Sequence, residues 1–354
     1  MTDDTAPTTG ARLLTATLAA NGIATIFATA GAASPALRVA GAGAVAVEIA
    51  GDALAVGALA RAAAVASDRP GVCAVVGLAE ARAALGEAAD DDPARLVLVA
   101  PSTTDAAIAD DAVAARVKAV IAIDRAEDVA AAVGRGLALA ASGKPGAVLV
   151  RLADGVLVGE AAVPAVIPAA PVIETHPGAA RMWDLQKRLW AAKRPLAILG
   201  GAGWSATARR RFDRFAEKFD LPIVGAARPI PADRDDPRSL GALGADADPA
   251  LLARLASADL ILAIGVAFAR DRDDLARPMP PTPHQMLVHV HPDVAELVRV
   301  RLPDLAVHAT VAAFAAAAEA LEPPPAGVAW KLWRETARAE RLARLAKTAD
   351  GGEK

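Results

Sequence analysis

Short apolar runs alternate with helical or acidic segments along the first 160 residues. Residues 9–22 predict a helix that Thr9 can cap and that the Asn-Gly pair at 21–22 ends. Pro-Gly pairs at 70–71 and 145–146 introduce two of the later runs. This rhythm is typical of a parallel sheet with crossover helices. The runs predicted as strands are IATIFATAG, AVAVEI (44–49, predicted as buried), VCAVV, RLVLVA, KAVIAI and GAVLVRL.

The same rhythm begins again near Arg181. Strands are predicted at PLAILG, LPIVGA, DLILAIGVAF and QMLVHVHPD, with helices at ATARRRFDRFAEKF and DPALLARLASA. The segment between the two halves is rich in Ala and Pro and has no stable period, as expected of an extended linker. The predicted class is therefore α/β, with two doubly wound parallel-sheet domains at 1–160 and 181–325. Residues 161–180 are the predicted linker, and residues 326–354 are a charged, helical C-terminal tail.

Composition narrows the class of protein. Hydrophobic residues make up 54% of the 354, but Ala supplies much of that share and no run reaches about 18 uncharged apolar residues. The start, MTDDTAPTTG, is acidic where a signal peptide would be basic. A cytoplasmic protein without membrane spans is predicted. The net charge of -3, with both signs interspersed, offers no basic face for nucleic acid.

One cysteine and two alternating histidines are candidate chemical groups in this sequence. Cys73 lies in the apolar run GVCAVV, which predicts a buried core residue and excludes a disulfide framework. His289 and His291 lie on one face of VHVHPD, yet no third ligand is visible. No metal site is predicted for this chain.

A glycine turn follows the first strand of the second domain. GAGWSA (201–206) fits the pattern Gly-x-Gly-x-x-Ala between a strand and a helix, where small residues let a phosphate approach the helix N-terminus. The next strand, LPIVGA, ends without the acidic residue that would hold a ribose hydroxyl, so an NAD site is disfavoured. Two explanations remain open: nucleotide binding at Gly200, Gly201, Gly203 and Gly265, or tight packing between helix and strand.

The order of these segments resembles the thiamine-diphosphate-dependent enzymes of the acetolactate synthase and 2-oxoacid decarboxylase type, over residues 8–345. The opening TTGARLLTATLAANGIATIFATAG is similar to that family's first helix, turn and strand, which ends in a glycine loop at Gly31. KAVIAIDRAEDVAAAVGRGLALAASGKPGAVLVRLADGV is similar to the close of its pyrimidine-binding domain. RPLAILGGAGW, ADLILAIGVAF and VHVHPDVAEL follow its central domain. The resemblance implies a pyrimidine-binding domain, with Gly31 near the cofactor, and a central domain that holds FAD, ADP or nothing.

The resemblance also implies a glutamate at the end of an early strand, which hydrogen-bonds the cofactor's aminopyrimidine and relays a proton. A gapless alignment backward from Leu59-Ala60-Arg61 puts Ile49 in that position, whereas a shift of one residue puts Glu48 there. The family's Gly-Pro-Gly turn is replaced by VVGLAEARAALG. Glu48 is the predicted catalytic residue, with a plain strand-terminal carboxylate as the alternative. Glu80, Glu87 and Asp90 to Asp92 are predicted to form a solvated acidic surface.

The family's diphosphate and metal ligands lie in a third domain, in a Gly-Asp-Gly segment and a downstream Asn. The present sequence contains no Gly-Asp-Gly, and Asn21 is its one asparagine. The predicted function is a subunit of a split thiamine-diphosphate-dependent transferase or lyase, inactive alone, that acts on 2-oxo acids by decarboxylation, carboligation or C–C cleavage. A second polypeptide would hold the diphosphate and magnesium in a hetero-oligomer. The alternatives are a non-catalytic scaffold, a nucleotide-binding regulatory protein, and a truncated copy of a longer enzyme.

Overall fold

The computed structural model describes residues 7–43, 45–86, 92–102, 110–162, 167, 169–226, 236–244, 247–270 and 278–351. The chain divides into two compact units, Met1–Ile173 (unit 1) and Glu174–Lys354 (unit 2). Both units carry a parallel sheet flanked by helices, so the predicted α/β class with two doubly wound domains is confirmed. None of the helices within the described ranges is long and apolar enough to cross a membrane.

Unit 1 is built on a parallel sheet of six strands within its described ranges, in the order β3-β2-β4-β5-β7-β6. A small antiparallel pair, β1 with β8, lies beside it. The strands are β1 (Pro7–Thr9), β2 (Thr25–Ala28), β3 (Ala46–Ile49), β4 (Gly71–Val76), β5 (Arg95–Ala100), β6 (Ala119–Ile123), β7 (Ala147–Leu152) and β8 (Glu160–Ala162). The helices are α1 (Gly10–Ala20), α2 (Pro35–Gly41), α3 (Ala53–Ser67), α4 (Gly77–Leu85), α5 (Asp110–Ala114) and α6 (Val129–Ala141).

Local chemistry sets the ends of these elements. The side chain of Thr9 accepts a hydrogen bond from the N–H of Arg12 at the start of α1. Asn21 ends that helix and is satisfied at both ends of its amide, by Thr17 O at 2.8 Å and by the N–H of Ala170 at 2.8 Å. The central strands β4, β5 and β7 are apolar on both faces because helices cover both sides of the sheet.

The strand AVAVEI was predicted as buried, and this prediction is wrong. Among the described strands, β3 lies at the edge of its sheet and pairs with β2. Ile49 is 53% exposed and Glu48 is exposed as well, whereas Val47 packs against the core. The run of small apolar residues could not distinguish a central from an edge position, because that position depends on strand order.

Unit 2 carries a second parallel sheet, in the order β11-β10-β9-β12-β13-β14. Strands β11 and β14 and helix α7 were not predicted from the sequence pattern. The strands are β9 (Pro195–Leu199), β10 (Ile223–Gly225), β11 (Ser239–Ala242), β12 (Leu260–Ile264), β13 (Met286–His291) and β14 (Leu305–His308). The helices are α7 (Ala179–Ala191), α8 (Ala206–Lys218), α9 (Pro249–Ser257), α10 (Val294–Val298), α11 (Val311–Ala318) and α12 (Lys331–Gly351).

The C-terminal helix α12 packs on unit 2. Trp330, just before it, is buried and donates its indole N–H to Asp220 O at 2.9 Å. Further along, Arg338 and Arg341 both donate to Ser239 O, at 2.9 and 2.8 Å. Since Ser239 begins the edge strand β11, the tail helix covers one edge of the sheet.

Candidate functional site

Each sheet has a topological switch point, where the chain reverses the direction in which it adds strands. In unit 1 this point lies between β2 and β4, and in unit 2 between β9 and β12. Open parallel sheets bind ligands in the crevice beyond the carboxyl ends of the strands at such points. The loops that follow these four strands are therefore the places to test for a site.

The predicted catalytic residue, Glu48, lies one strand away from the unit 1 switch point. On β3 it stands in register with Phe27, and the alternative, Ile49, stands in register with Ala28. Successive residues of a strand point to opposite faces, so a shift of one residue exchanges a carboxylate for an apolar side chain. Within the described part of the chain, Glu48 makes no hydrogen bond or ion pair. Its catalytic role stays a prediction.

A carboxylate and a hydroxyl meet at the switch point itself. Oε2 of Glu80, on α4, accepts from the hydroxyl of Thr29 at 2.9 Å and from the N–H of Val76 at 2.8 Å. Thr29 follows β2 and Val76 ends β4, so one carboxylate joins the two strand ends. A Cβ atom on Gly31 would lie 3.0 Å from Val76 Cγ2, which places the predicted glycine loop against the same strand end.

The prediction of a solvated acidic surface is wrong for two of its members. Glu80 is half-buried because it lies in the first turn of α4 and reaches back to the helix N-terminus. Asp92 pairs with the buried guanidinium of Arg95 at 2.5 Å and with Arg61 at 3.3 Å. Glu87, Asp90 and Asp91 lie outside the described residues. No local motif reveals the pairing of Thr29 with Glu80, because 51 positions separate them.

In unit 2 the glycines lie at the switch point, as their positions after β9 and β12 require. Gly201 and Gly265 have φ of +70° and +67°, and a Cβ atom on either would collide with the backbone carbonyl oxygen of the facing strand end. A Cβ atom on Gly200 would lie 3.0 Å from that of Ala226. Close backbone packing therefore accounts for these three glycines.

Gly203 differs from the other three. Its φ is +91°, yet the nearest atom to a Cβ there would be Val311 Cβ at 3.9 Å. The turn is fixed by Trp204, whose indole N–H donates to Gly200 O at 2.9 Å, and by Ser205, which caps α8 through the N–H of Ala208 at 2.9 Å. Space at Gly203, at the start of a capped helix, leaves nucleotide binding open.

The two histidines of β13 are buried, with ring centroids 5.9 Å apart. His289 lies 2.8 Å through Nε2 from Val266 O, and burial lowers its pKa to about 4 against the opposing effect of that bond. His291 Nδ1 accepts from the N–H of Asp293 at 3.0 Å. Among the described residues, no group of three or more His, Cys, Asp or Glu side chains could hold a metal ion.

Two doubly wound α/β units, each with small residues and polar groups at its switch point, define a class of nucleotide- or cofactor-binding folds. Comparison with known proteins narrows this class. Residues 183–318 match the family model described as thiamine pyrophosphate enzyme, central domain. The crystal structure of benzoylformate decarboxylase from Polynucleobacter necessarius has the same fold, with a TM-score of 0.69 and 20% identity, over 89% of this chain and 61% of that one.

Curated relatives belong to the same group. The acetolactate synthase large subunit of Haemophilus influenzae is 26% identical over 160 residues, which cover 43% of this chain and 28% of that protein. The acetolactate synthase isozyme 1 large subunit of Escherichia coli is 33% identical over 129 residues, or 36% of this chain and 22% of that protein. The aligned segments thus span less than a third of these relatives. Over these segments the chain is similar to thiamine-diphosphate-dependent enzymes of the acetolactate synthase group, and residues 183–318 match the central domain of that family.

Proposed function

We propose that this chain supplies the pyrimidine-binding and central parts of a thiamine-diphosphate-dependent enzyme that acts on 2-oxo acids, and that a second polypeptide holds the diphosphate and magnesium. The observation that carries the proposal is the match of residues 183–318 to the central domain of that family. The name acetolactate synthase, shared by the curated relatives, supports a 2-oxo acid as substrate.

The residues of the chain fit one half of the cofactor. An aminopyrimidine ring needs a carboxylate and further hydrogen-bonding groups, and unit 1 has Glu48, Thr29 and Glu80 near the carboxyl ends of β3, β2 and β4. A magnesium diphosphate needs several oxygen ligands, and the described residues offer no acidic group of three. This asymmetry supports a cofactor shared between two polypeptides, in which the bound group supplies the carbanion chemistry and this chain holds the ring.

An exposed apolar surface on unit 1 supports the proposal of a protein partner. The exposed face of α3 carries Leu54, Leu59 and Val65, which are 61%, 40% and 72% exposed, and the exposed positions between them, 55, 58 and 62, are alanines. Monomeric proteins seldom leave such a continuous apolar face in water. Because α3 follows directly on β3, a partner that covers this face would also approach Glu48.

Affinity purification of the tagged chain from its native cells tests the partnership. The proposal expects a hetero-oligomer in which the second polypeptide carries Gly-Asp-Gly and a downstream Asn, with thiamine diphosphate bound. A partner whose addition leaves the affinity for thiamine diphosphate unchanged would contradict it.

Glu48→Gln in the assembled complex tests the proton relay. The variant keeps the shape of the side chain and removes the charge, so the rate should fall roughly 100- to 10,000-fold while the fold is kept. Glu127→Gln is the matched control, since Glu127 follows β6 at the opposite edge of the sheet. If Glu48→Gln keeps more than about half of the activity, the gapless alignment with Ile49 in the glutamate position is correct.

The second candidate is a nucleotide-binding regulatory protein on the same scaffold, favoured by the open space at Gly203. FAD or ADP at about 100 times its dissociation constant should then stabilise the chain by about 2.7 kcal/mol, and Gly203→Leu should remove this effect. Stabilisation by a nucleotide together with no binding of any thiamine compound, with or without a partner, would favour this candidate over the enzyme.

A further inference from the structure

Two tryptophans lie on the outer side of helix α7 in unit 2. Trp183 is 54% exposed and Trp190 is 37% exposed. Their ring centroids are 6.3 Å apart and their planes meet at 70°, so the rings form an edge-to-face pair. Positions 183, 187 and 190 share one side of a helix, and Nζ of Lys187 stands 6.0 Å from the centroid of the Trp183 ring. Helix α7 therefore presents an aromatic pair and a neighbouring cation to water.

Packing accounts for the other tryptophans of the chain but not for Trp183. The sequence has five tryptophans and no tyrosine. Three of them pack against the core or fix a turn, namely Trp204, Trp330 and Trp333. Trp190 donates its indole N–H to Glu322 O at 2.8 Å. The indole N–H of Trp183 donates to none of the residues that the structure describes. Since tryptophan is enriched at the energetic centres of protein interfaces, its exposure here indicates a binding surface.

The acidic groups around this aromatic pair are already bound within unit 2. Oδ1 of Asp184 lies 3.0 Å from Nζ of Lys187. Oε1 of Glu322 lies 2.7 Å from Nζ of Lys218. Both carboxylate oxygens of Asp259 accept backbone N–H groups just after the end of α7, at 2.8 and 2.9 Å. None of these carboxylates is left to neutralise a further cation on this side of the helix.

The cations at the two ends of α7 have no such partners. Arg181 in the first turn, and Lys193 and Arg194 just after the helix, are exposed, and their side chains make no ion pair with the described residues. The hydrogen bond from Lys187 is the largest of several effects that hold the pKa of Asp184 below its ordinary value, and the charges of neighbouring arginines add to it. The surface around the two tryptophans is therefore positively charged.

We infer that this face of α7 binds an acidic segment of a partner protein that also carries an apolar side chain. The apolar side chain packs on the rings of Trp183 and Trp190, and the carboxylates pair with Arg181 at one end and Arg194 at the other. A membrane-surface helix needs a continuous apolar face, which Lys187 interrupts here. The net charge of -3 disfavours nucleic acid. The inference does not rest on the proposed function.

Site-specific cross-linking of the full chain in its native cells tests the inference. In one chain p-benzoylphenylalanine replaces Ala180, an exposed residue one turn before Trp183, and in a control chain it replaces Glu217, which is exposed on α8. Position 180 should cross-link one dominant protein that position 217 does not. Mass spectrometry should locate the cross-link in a segment of that protein where Asp or Glu residues flank an apolar residue.

A synthetic peptide of the cross-linked segment, titrated into purified variants of the full chain, measures what each group contributes. Trp183→Ala should weaken binding roughly 10-fold or more, as expected of a residue at the centre of an interface. Arg194→Glu should weaken binding more at low salt than at high salt, because screening reduces the charge repulsion. Leu332→Ala removes a comparably exposed apolar side chain from α12 and should bind like the wild type. Circular dichroism confirms the fold of each variant.

Several results would overturn the inference. They are equal affinity of folded Trp183→Ala and wild type, a cross-linked segment without acidic residues, and no protein specific to position 180. A cross-link to a second copy of this chain would replace the partner by self-association. Binding of the wild type, but not of Trp183→Ala, to vesicles of equal parts phosphatidylcholine and phosphatidylglycerol would replace it by a membrane. If Trp183→Ala does not fold, Arg194→Glu decides, and unchanged affinity at low salt overturns the inference.

Discussion

The backbones of Gly201 and Gly265 approach so closely that neither residue has space for a Cβ atom. The two glycines follow β9 and β12, the neighbouring strands at the switch point of unit 2. Both have left-handed φ angles, of +70° and +67°. Packing of the sheet therefore requires glycine at both positions, whether or not a ligand binds in the turn.

Gly201→Ala should therefore destabilise the protein more than Gly203→Ala. Both substitutions strain a left-handed residue, at a cost of about 1–2 kcal/mol. Gly201→Ala also forces the two strand ends apart, which adds about 1–3 kcal/mol, whereas Gly203 has open space around its Cβ position. Urea unfolding of the two variants measures the difference. If both variants lose the same free energy of unfolding, the close packing at Gly201 does not contribute to stability.

Arg338→Ala should destabilise unit 2 by about 1–3 kcal/mol. The guanidinium is buried and is one of two that donate to Ser239 O at the start of the edge strand β11, so its removal takes away one of these hydrogen bonds and leaves a gap beneath α12. Lys331→Ala, on the exposed side of the same helix, is the control and should change little. Thermal unfolding compares the two variants. Similar unfolding midpoints for both would mean that the contact between Arg338 and Ser239 does not stabilise unit 2.

His289 should make the protein sensitive to acid. Burial lowers its pKa to about 4, below the ordinary 6.5. Between pH 4 and pH 6.5 the unfolded chain therefore binds a proton at this residue and the folded chain does not. Its contribution is complete above pH 6.5 and is lost as pH falls toward 4, by on the order of 3 kcal/mol. His289→Gln should flatten the pH dependence of unfolding in this window, while the exposed His284→Gln should not. If the free energy of unfolding falls with pH equally in His289→Gln and the wild type, His289 is not the source of the acid sensitivity.

Cys73 should be unreactive in the folded protein. The thiol is fully buried on β4, and burial raises its pKa to about 12, while Arg95 acts in the opposite direction. Since the thiolate is the reactive form, dithiobis-nitrobenzoate at neutral pH should label no thiol until denaturant is added, and then the single cysteine of the chain. Rapid labelling of the native protein would show that this strand opens.

Periodicity and turn residues were enough to predict most strands and some of the helices, because Thr9, Asn21 and the Pro-Gly pairs mark element ends locally. Strand order was beyond these signals. It places β3 at an edge of its sheet, and the four-residue segments β11 and β14 pair at the two edges of the other sheet. The same limit applies to the site: the glycine turns could be placed from sequence, but the bond between Thr29 and Glu80 depends on two distant segments meeting at a switch point.

In the proposed function, this chain holds the pyrimidine half of thiamine diphosphate and needs a partner for the rest. Calorimetric titration of the purified chain with thiamine diphosphate and magnesium tests it most directly. We expect no tight binding and no turnover of pyruvate by the chain alone, and high affinity only after the partner is added. Sub-micromolar, magnesium-dependent binding by the chain alone would contradict it.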